Sequence, residues 1–374
     1  MMKVMHIPNY YYPHIGGIEQ VARDCVHSLS GKCEQKVICF NHEKDTIKEI
    51  IDGIEVTRVG SFAKVASQSL CLHYKRELKK ILKEFSPNVV IFHYPNPFVA
   101  YYLMRFLKKK SFKFILWWHL DITKQKLLGK LFNTQTRKLL SIADKIVVTS
   151  PNYLQGSKFL PQYKDKCSVI PCCVDDSRLK YSQNEINLAN QIKQQNNDKI
   201  ICFAFGRHVE YKGLTYLIQA SKILTNDFKI YIGGSGPLTN DLKQEALNDE
   251  KIEFLGRLSD EDLKAYLLAC DIFCFPSITK NEAFGIGLAE AMYYAKPSVT
   301  FKIAGSGVNY VSLNNVTGIE VENKNVEAYA KAIEALKDKS LRLKLGTNAY
   351  NRVMELFTFA QFKDNLEKLL EIGE

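Results

Sequence analysis

Short strand-like apolar runs alternate with helix-like stretches from one end of the chain to the other, and this alternation restricts the fold more than any other feature. It is the pattern of parallel βαβ units, whose strands are covered on both faces by their crossover helices. In the first half the runs fall at 3–7, 36–40, 55–59, 89–93, 112–118, 145–149 and 168–170. A polar stretch rich in Asn and Gln, 181–198, contains no buried strand pattern, and a second series follows at 200–205, 229–233, 252–255, 271–275, 297–301 and 318–321. Two doubly wound α/β domains are therefore expected, 1–180 and 199–357, with 181–198 as linker. The last helix carries Phe362, Leu366, Leu369 and Leu370 at helical spacing, so 358–374 is expected to pack back on the first domain. At 374 residues the chain has material for two cores.

Several classes fall away on composition. No apolar run approaches the ~20 residues needed to span a bilayer. The N-terminus reads as a first strand rather than a secretory signal, so a cytoplasmic protein is expected. The ten cysteines are scattered through apolar segments with no C-x-x-C pair, which suits buried thiols and not a disulfide framework or zinc site. Residues 1–180 hold 29 Lys and Arg against 15 Asp and Glu, whereas 181–374 hold 22 against 25. Lys75, Arg76, Lys79, Lys80 and Lys83, then Lys108, Lys109, Lys110 and Lys113, then Lys124, Lys126 and Lys130 are interleaved with Tyr101, Tyr102, Phe106 and Phe112. An anionic membrane surface, nucleic acid and a plain solvated face are the three readings of that charge.

Chemistry is written most directly into 282–290. Glu282 precedes Ala283, Phe284, Gly285, Ile286 and Gly287, a turn running into a helix that carries Glu290. A helix start offers free N–H groups to phosphate. A carboxylate just outside it can reach sugar hydroxyls, and one within its first turns can accept from a ribose diol. Two glutamates eight apart are ordinary on an amphipathic helix, but here the turn follows the apolar run 271–275, at the strand end where open α/β sheets bind ligands.

Three further groups share that placement. After the run 200–205 come Gly206, Arg207 and, five residues beyond Arg207, Lys212. Arg207 can fork onto phosphate oxygens while Lys212 adds a compact charge, a pair able to replace a divalent metal at a leaving diphosphate. Gly16 and Gly17 occupy the first strand-to-helix turn, where backbone can approach a diphosphate or sugar. His119 ends the run 112–118 and is expected to face the second domain and hydrogen-bond a donor sugar, with His93 the next choice. No G-x-G-x-x-G is present, which disfavours a dehydrogenase, and Ser259 with Asp260, Glu261 and Asp262 reads as a helix start rather than a metal site.

Through Gly16-Gly17, Trp118-His119-Leu120-Asp121, Gly206-Arg207 to Lys212-Gly213, and Glu282-Ala283-Phe284-Gly285 to Glu290-Ala291-Met292, the chain resembles the retaining family 4 glycosyltransferases over nearly all its length. The resemblance implies the GT-B fold, two Rossmann-like domains facing across a cleft. It implies that Arg207 and Lys212 hold the donor diphosphate, His119 lies against the transferred sugar, Glu290 holds the ribose, and Glu282 faces the sugar or its leaving-group side. Ala283, Phe284, Gly285, Ile286, Gly206, Gly16 and Gly17 complete the expected donor site. The stretches 148–153, 276–279 and 305–308 look like those of bacterial mannosyl- and rhamnosyl-type enzymes of lipopolysaccharide or O-antigen synthesis.

The expected activity is transfer of a sugar, mannose from GDP-mannose for preference, to a lipid-linked saccharide by a metal-independent enzyme without cofactor. The enzyme would lie on the inner face of the cytoplasmic membrane through its basic first domain, with no nucleic-acid partner. A UDP-sugar-dependent transferase, a phosphorylase or epimerase on the same scaffold, and a non-catalytic nucleic-acid-binding protein are the alternatives.

Overall fold

The first sheet is assembled from β1 (Met2–Ile7), β2 (Cys33–Phe40), β3 (Ile47–Ile51), β4 (Ile54–Val59), β7 (Val89–Tyr94), β8 (Lys113–Trp118), β9 (Lys145–Val148) and β10 (Cys167–Val169), with a separate hairpin of β5 (Ala63–Val65) and β6 (Gln68–Leu70). The computed structural model describes the chain apart from residues 15, 66–67, 72, 109, 123–128, 197–198 and 373–374, and leaves aside the side chains of 64, 65, 68, 70 and 129–131. Two units result, one of residues 1–170 with 362–374 and the other of residues 171–361.

Strand order in the first unit is β10-β9-β8-β7-β1-β2-β4-β3. The chain builds outward from β1 on one side and then from β7 on the other, so adjacent loops after β1 and β7 part at a switch point. All pairings in this sheet are parallel except β3 with β4. That antiparallel edge departs from the all-parallel expectation. Asp52 and Gly53 both have positive φ, 51° and 80°, and a two-residue turn of this kind folds a strand back on its predecessor.

In the second unit β11 (Ile200–Phe205), β12 (Phe228–Gly233), β13 (Ile252–Gly256), β14 (Ile272–Phe275), β15 (Ser298–Phe301) and β16 (Gly318–Val321) form a parallel sheet in the order β13-β12-β11-β14-β15-β16. Its switch point lies between β11 and β14, whose registers place Cys202 beside Ile272 and Phe203 beside Phe273.

The stretch expected to be a linker is a helix, Gln183–Gln195, and belongs to the second unit, as do residues 171–180. Ser182 and Glu185 close its N-terminus as a reciprocal capping box. The helix is polar because only a narrow stripe is covered, with Ala189 buried and Ile186 and Ile192 half-buried. Glu185 pairs with Lys264 at 3.3 Å, and Asn196 just beyond the helix donates to the Tyr231 hydroxyl at 2.9 Å.

At the other end of the chain, helix Phe359–Leu370 buries Phe362, Leu366 and Leu370, one face at four-residue spacing. From Phe362 onward it belongs to the first unit, where the Phe362 ring lies 5.7 Å from Trp117, Glu367 pairs with Lys32 at 2.7 Å and Glu371 with Lys113 at 2.9 Å. Both tryptophans of the chain are in β8, so tryptophan emission reports on the first unit alone. Phe362→Ala is expected to cost about 3–5 kcal/mol. Urea unfolding followed by tryptophan emission should show that loss, and an unchanged midpoint would refute the packing role of the helix.

Candidate functional site

In the second unit the loops leaving β11 and β14 flank the switch point, and most of the chemistry expected from the sequence gathers there. Gly206 follows β11 and donates its N–H to the Gly233 carbonyl at 3.1 Å. Arg207 is exposed. The chain then makes a single 3-10 turn, Glu210–Lys212, closed by Gly213 at φ 63°. Any Cβ at Gly213 would lie 2.1 Å from the Pro276 carbonyl oxygen, so glycine here lets the β11 and β14 loops touch backbone to backbone. Gly206, Arg207, Lys212, Pro276 and Ser277 line one pocket.

Lys212 is the hinge of this arrangement. Its Nζ is 2.5 Å from Glu282 Oε2, which also accepts from Ser277 Oγ at 3.2 Å, and it lies 5.0 Å from the centre of the Phe275 ring. Burial works against charge on Lys212, but the Glu282 carboxylate and Tyr211 together outweigh it and hold the ammonium pKa above the ordinary 10.5. The turn carrying Glu282 is pinned from behind. Ser306 Oγ donates to the Glu282 carbonyl at 2.5 Å, Gly307 N–H donates to the Ala283 carbonyl at 3.0 Å, and buried Phe284 meets Phe357 edge-on.

Gly285, at φ 95°, caps helix Ile286–Tyr293, whose first N–H groups point back toward the turn. Glu290 lies five residues past that cap, roughly 7.5 Å along the axis. It is not on the wall of the Arg207–Lys212 pocket. One of its carboxylate oxygens, Oε1, is ion-paired with Arg178 Nη2, and Arg178 Nη1 reaches Asp260 Oδ1 at 3.2 Å. Burial pushes the Glu290 carboxyl above its ordinary value, with Arg178 pulling the other way. Ser259 caps helix Asp260–Ala269 by accepting from the Asp262 N–H at 3.0 Å, so the acidic triplet there forms a helix start. Among the described residues no group of three or more His, Cys, Asp or Glu side chains is placed to hold a metal ion.

Gly16, Gly17 and His119 belong to the first unit. Gly16 caps helix Gly17–Ser28 with extended backbone, φ −169°, which any residue adopts, and a Cβ on Gly17 would meet no protein atom. His119 directly follows β8, its N–H bonded to the Tyr94 carbonyl at 3.0 Å. Its Nε2 is 3.1 Å from His93 Nδ1, and the two rings stack with centres 5.3 Å apart. Burial lowers the His119 pKa to about 3, that of His6 on β1 to about 4, and that of His93 well below the ordinary 6.5. All three imidazoles are thus neutral at pH 7. Asp121 accepts from Trp118 Nε1 at 3.2 Å, from Ser157 Oγ at 2.7 Å and from the Lys158 N–H at 3.1 Å, which makes it a fastener of the loop after β8.

Comparison with known proteins decides the family. The model for glycosyltransferase family 4 matches residues 15–178, and that for glycosyl transferases group 1 matches residues 185–352. The chain is 30% identical over 362 residues to the D-rhamnosyltransferase WbpZ of Pseudomonas aeruginosa, covering 96% of this chain and 92% of that one. The chain is a family 4 glycosyltransferase of the GT-B fold. It is also 28% identical over 366 residues to the O-antigen chain mannosyltransferase C of Escherichia coli, covering 96% and 95% of the two chains. The fold matches that of sucrose-phosphate synthase from Thermosynechococcus elongatus with TM-score 0.80 at 18% identity, over 99% and 98% of the chains.

Within this glycosyltransferase, sequence reasoning overlooked Arg178 and, although it marked 276–279 and 305–308, did not foresee the contact of Ser277 with Glu282 or the bracing by Ser306 and Gly307. Arg178 sits three residues after the Asp175 that caps its short helix, but nothing local announces its distant partner Glu290. The buried histidines of the first unit yield a stability test. The unfolded chain takes up these protons near pH 6.5 while the folded unit resists to about pH 4 or below, so stability falls as pH drops through that window. Each histidine contributes up to about 1.4 kcal/mol per pH unit. Urea unfolding by tryptophan emission between pH 7.5 and 4.5 should show this slope, reduced by about one group's share in His119→Asn. A slope that His119→Asn leaves unaltered would contradict the neutral imidazole.

Proposed function

We propose that the enzyme is a retaining glycosyltransferase that moves a sugar, mannose from GDP-mannose for preference, onto a lipid-linked saccharide in the synthesis of O-antigen or a related cell-surface polysaccharide. The observation that carries this reading is the Lys212–Glu282 pair at the β11/β14 switch point, with Arg207 on the wall of the same pocket. As the bond between the anomeric carbon and the diphosphate oxygen breaks, negative charge collects on the leaving nucleoside diphosphate. Arg207 forks onto its oxygens, Lys212 adds a second positive charge, and the N–H groups at the start of helix Ile286–Tyr293 donate to it. These fixed charges stabilise the transition state in the place of a divalent metal.

Glu290 accepts from the ribose diol, and Glu282 faces the sugar or its leaving-group side. A neutral His119 hydrogen-bonds the donor sugar without adding positive charge. The mannosyl and D-rhamnosyl relatives support the donor and the polymer class. Attachment to an anionic membrane is supported by helix Tyr74–Phe85, which exposes Lys75, Arg76, Lys79, Lys80 and Lys83 and buries Tyr74, Leu78, Ile81 and Phe85. Each such cation near the surface contributes about 1 kcal/mol. Lys109, Lys124 and Lys126 of the other basic runs lie outside the described residues. No helix among the described residues is long and apolar enough to cross a membrane.

Arg207→Ala and Lys212→Ala are each expected to lower the transfer rate by about 10²–10³-fold, the loss typical of a group stabilising transition-state charge. Rates are to be measured with GDP-mannose and membrane extract as acceptor. Wild-type rates in both variants would sink the mechanism. Thermal stabilisation by GDP should exceed that by UDP, and the reverse order would assign a UDP-sugar donor.

A further inference from the structure

We infer that Arg178 is a positioning residue for nucleotide recognition: it fixes the Glu290 carboxylate so that the second oxygen is presented to the hydroxyls of a ribose. The inference rests on the reading of Glu290 as the ribose acceptor and adds the residue that makes it selective.

Arg178 is rigidly placed. It lies on the short helix Asp176–Leu179, where its N–H donates to Asp175 Oδ1 at 3.0 Å, and that carboxylate also accepts from Ser177 Oγ at 2.6 Å. Its guanidinium spans two further elements, with Nη2 on Glu290 Oε1 in helix Ile286–Tyr293 and Nη1 on Asp260 Oδ1 at the start of helix Asp260–Ala269. Glu290 Oε2 takes no hydrogen bond among the described residues, and it is not among the buried polar atoms that lack a partner. One oxygen is therefore held, and the other, in a carboxylate that is itself nearly buried, has no protein partner among the described residues.

The terminal torsion of a glutamate is soft, so a carboxylate without a partner samples a broad range of planes. A guanidinium bonded to one oxygen, and itself bonded to a third element, removes that freedom. The chemistry of the pair suits a diol. An ionised carboxylate only accepts, with about four lone-pair sites, whereas a protonated one spends an oxygen as donor. Arg178 thus favours the accepting form of the buried carboxylate and holds it in one orientation. Sites built to bond a substrate hydroxyl discriminate strongly against the analogue that lacks it, because the buried partner is then left unpaired.

The test uses the full chain and three probes by calorimetry: GDP, 2′-deoxy-GDP and inorganic pyrophosphate, with the uridine pair substituted if UDP is the base that binds. The wild-type protein is expected to prefer GDP over its 2′-deoxy analogue by about tenfold or more. Arg178→Ala should bring that ratio to within about twofold of unity while leaving pyrophosphate affinity unchanged, and Arg178→Lys should restore part of the ratio. Absence of any preference in the wild-type protein would overturn the ribose reading of Glu290 and this inference with it. If Glu290→Gln abolishes the preference but Arg178→Ala keeps it, the ribose reading stands and the role of Arg178 is overturned. Equal loss of GDP and pyrophosphate binding in Arg178→Ala, with a lowered melting temperature, would also overturn it, since Arg178 would then only support the fold.

Discussion

A half-buried lysine charge needs a carboxylate beside it, and the contact between Lys212 and Glu282 meets that need at the point where the second sheet changes direction. Removing two charges from water costs several kcal/mol each, and their mutual attraction repays this only with good geometry and further hydrogen bonds. The surrounding loops supply both. Gly213 brings the β11 loop against Pro276, Ser277 donates to Glu282, and the 306–307 turn braces the backbone behind it. Such a pair adds little to stability compared with apolar packing. What it does is hold a cation in place on the wall of the pocket that Gly206 and Arg207 also line.

The two sheets share a layout and differ in what they bury. The first unit places His6, His93 and His119 on or beside adjacent strands β1, β7 and β8, and burial keeps all three uncharged. The second gathers charge: Lys212 with Glu282, and Arg178 with Glu290 and Asp260. Uncharged donors and acceptors suit sugar hydroxyls, whereas fixed cations suit a diphosphate. The two units thus differ in the chemistry they offer, neutral imidazoles in the first and paired charges in the second.

What the sequence disclosed depended on how local each signal was. Strands such as β7 and β11 are buried on both faces and stand out as apolar runs. The β3 strand was missed because its pattern is exposed and charged, although Asp52-Gly53 is a strong hairpin signal. Helix Gln183–Gln195 passed for a linker because its covered stripe is narrow, yet Ser182 and Glu185 spell its capping box. Arg207, Lys212, Glu282 and Glu290 could be singled out as candidates because each follows a strand or turn with a recognisable spacing. Arg178 was not, since a pairing across 112 residues is a property of the folded chain.

The two glutamates show why spacing alone understates a site. Along the sequence they are equivalent acids eight apart, but the fold gives them different partners and different work. Glu282 sits before the Gly285 cap, in a turn held by Ser277 of its own loop and Ser306 of another, and faces Lys212. Glu290 sits inside the helix, more deeply buried, and faces an arginine that is itself anchored by Asp260. A mobile ammonium can exchange partners when an anion arrives, whereas a forked guanidinium held at both ends cannot do so cheaply. The first carboxylate is therefore built to yield and the second to stay.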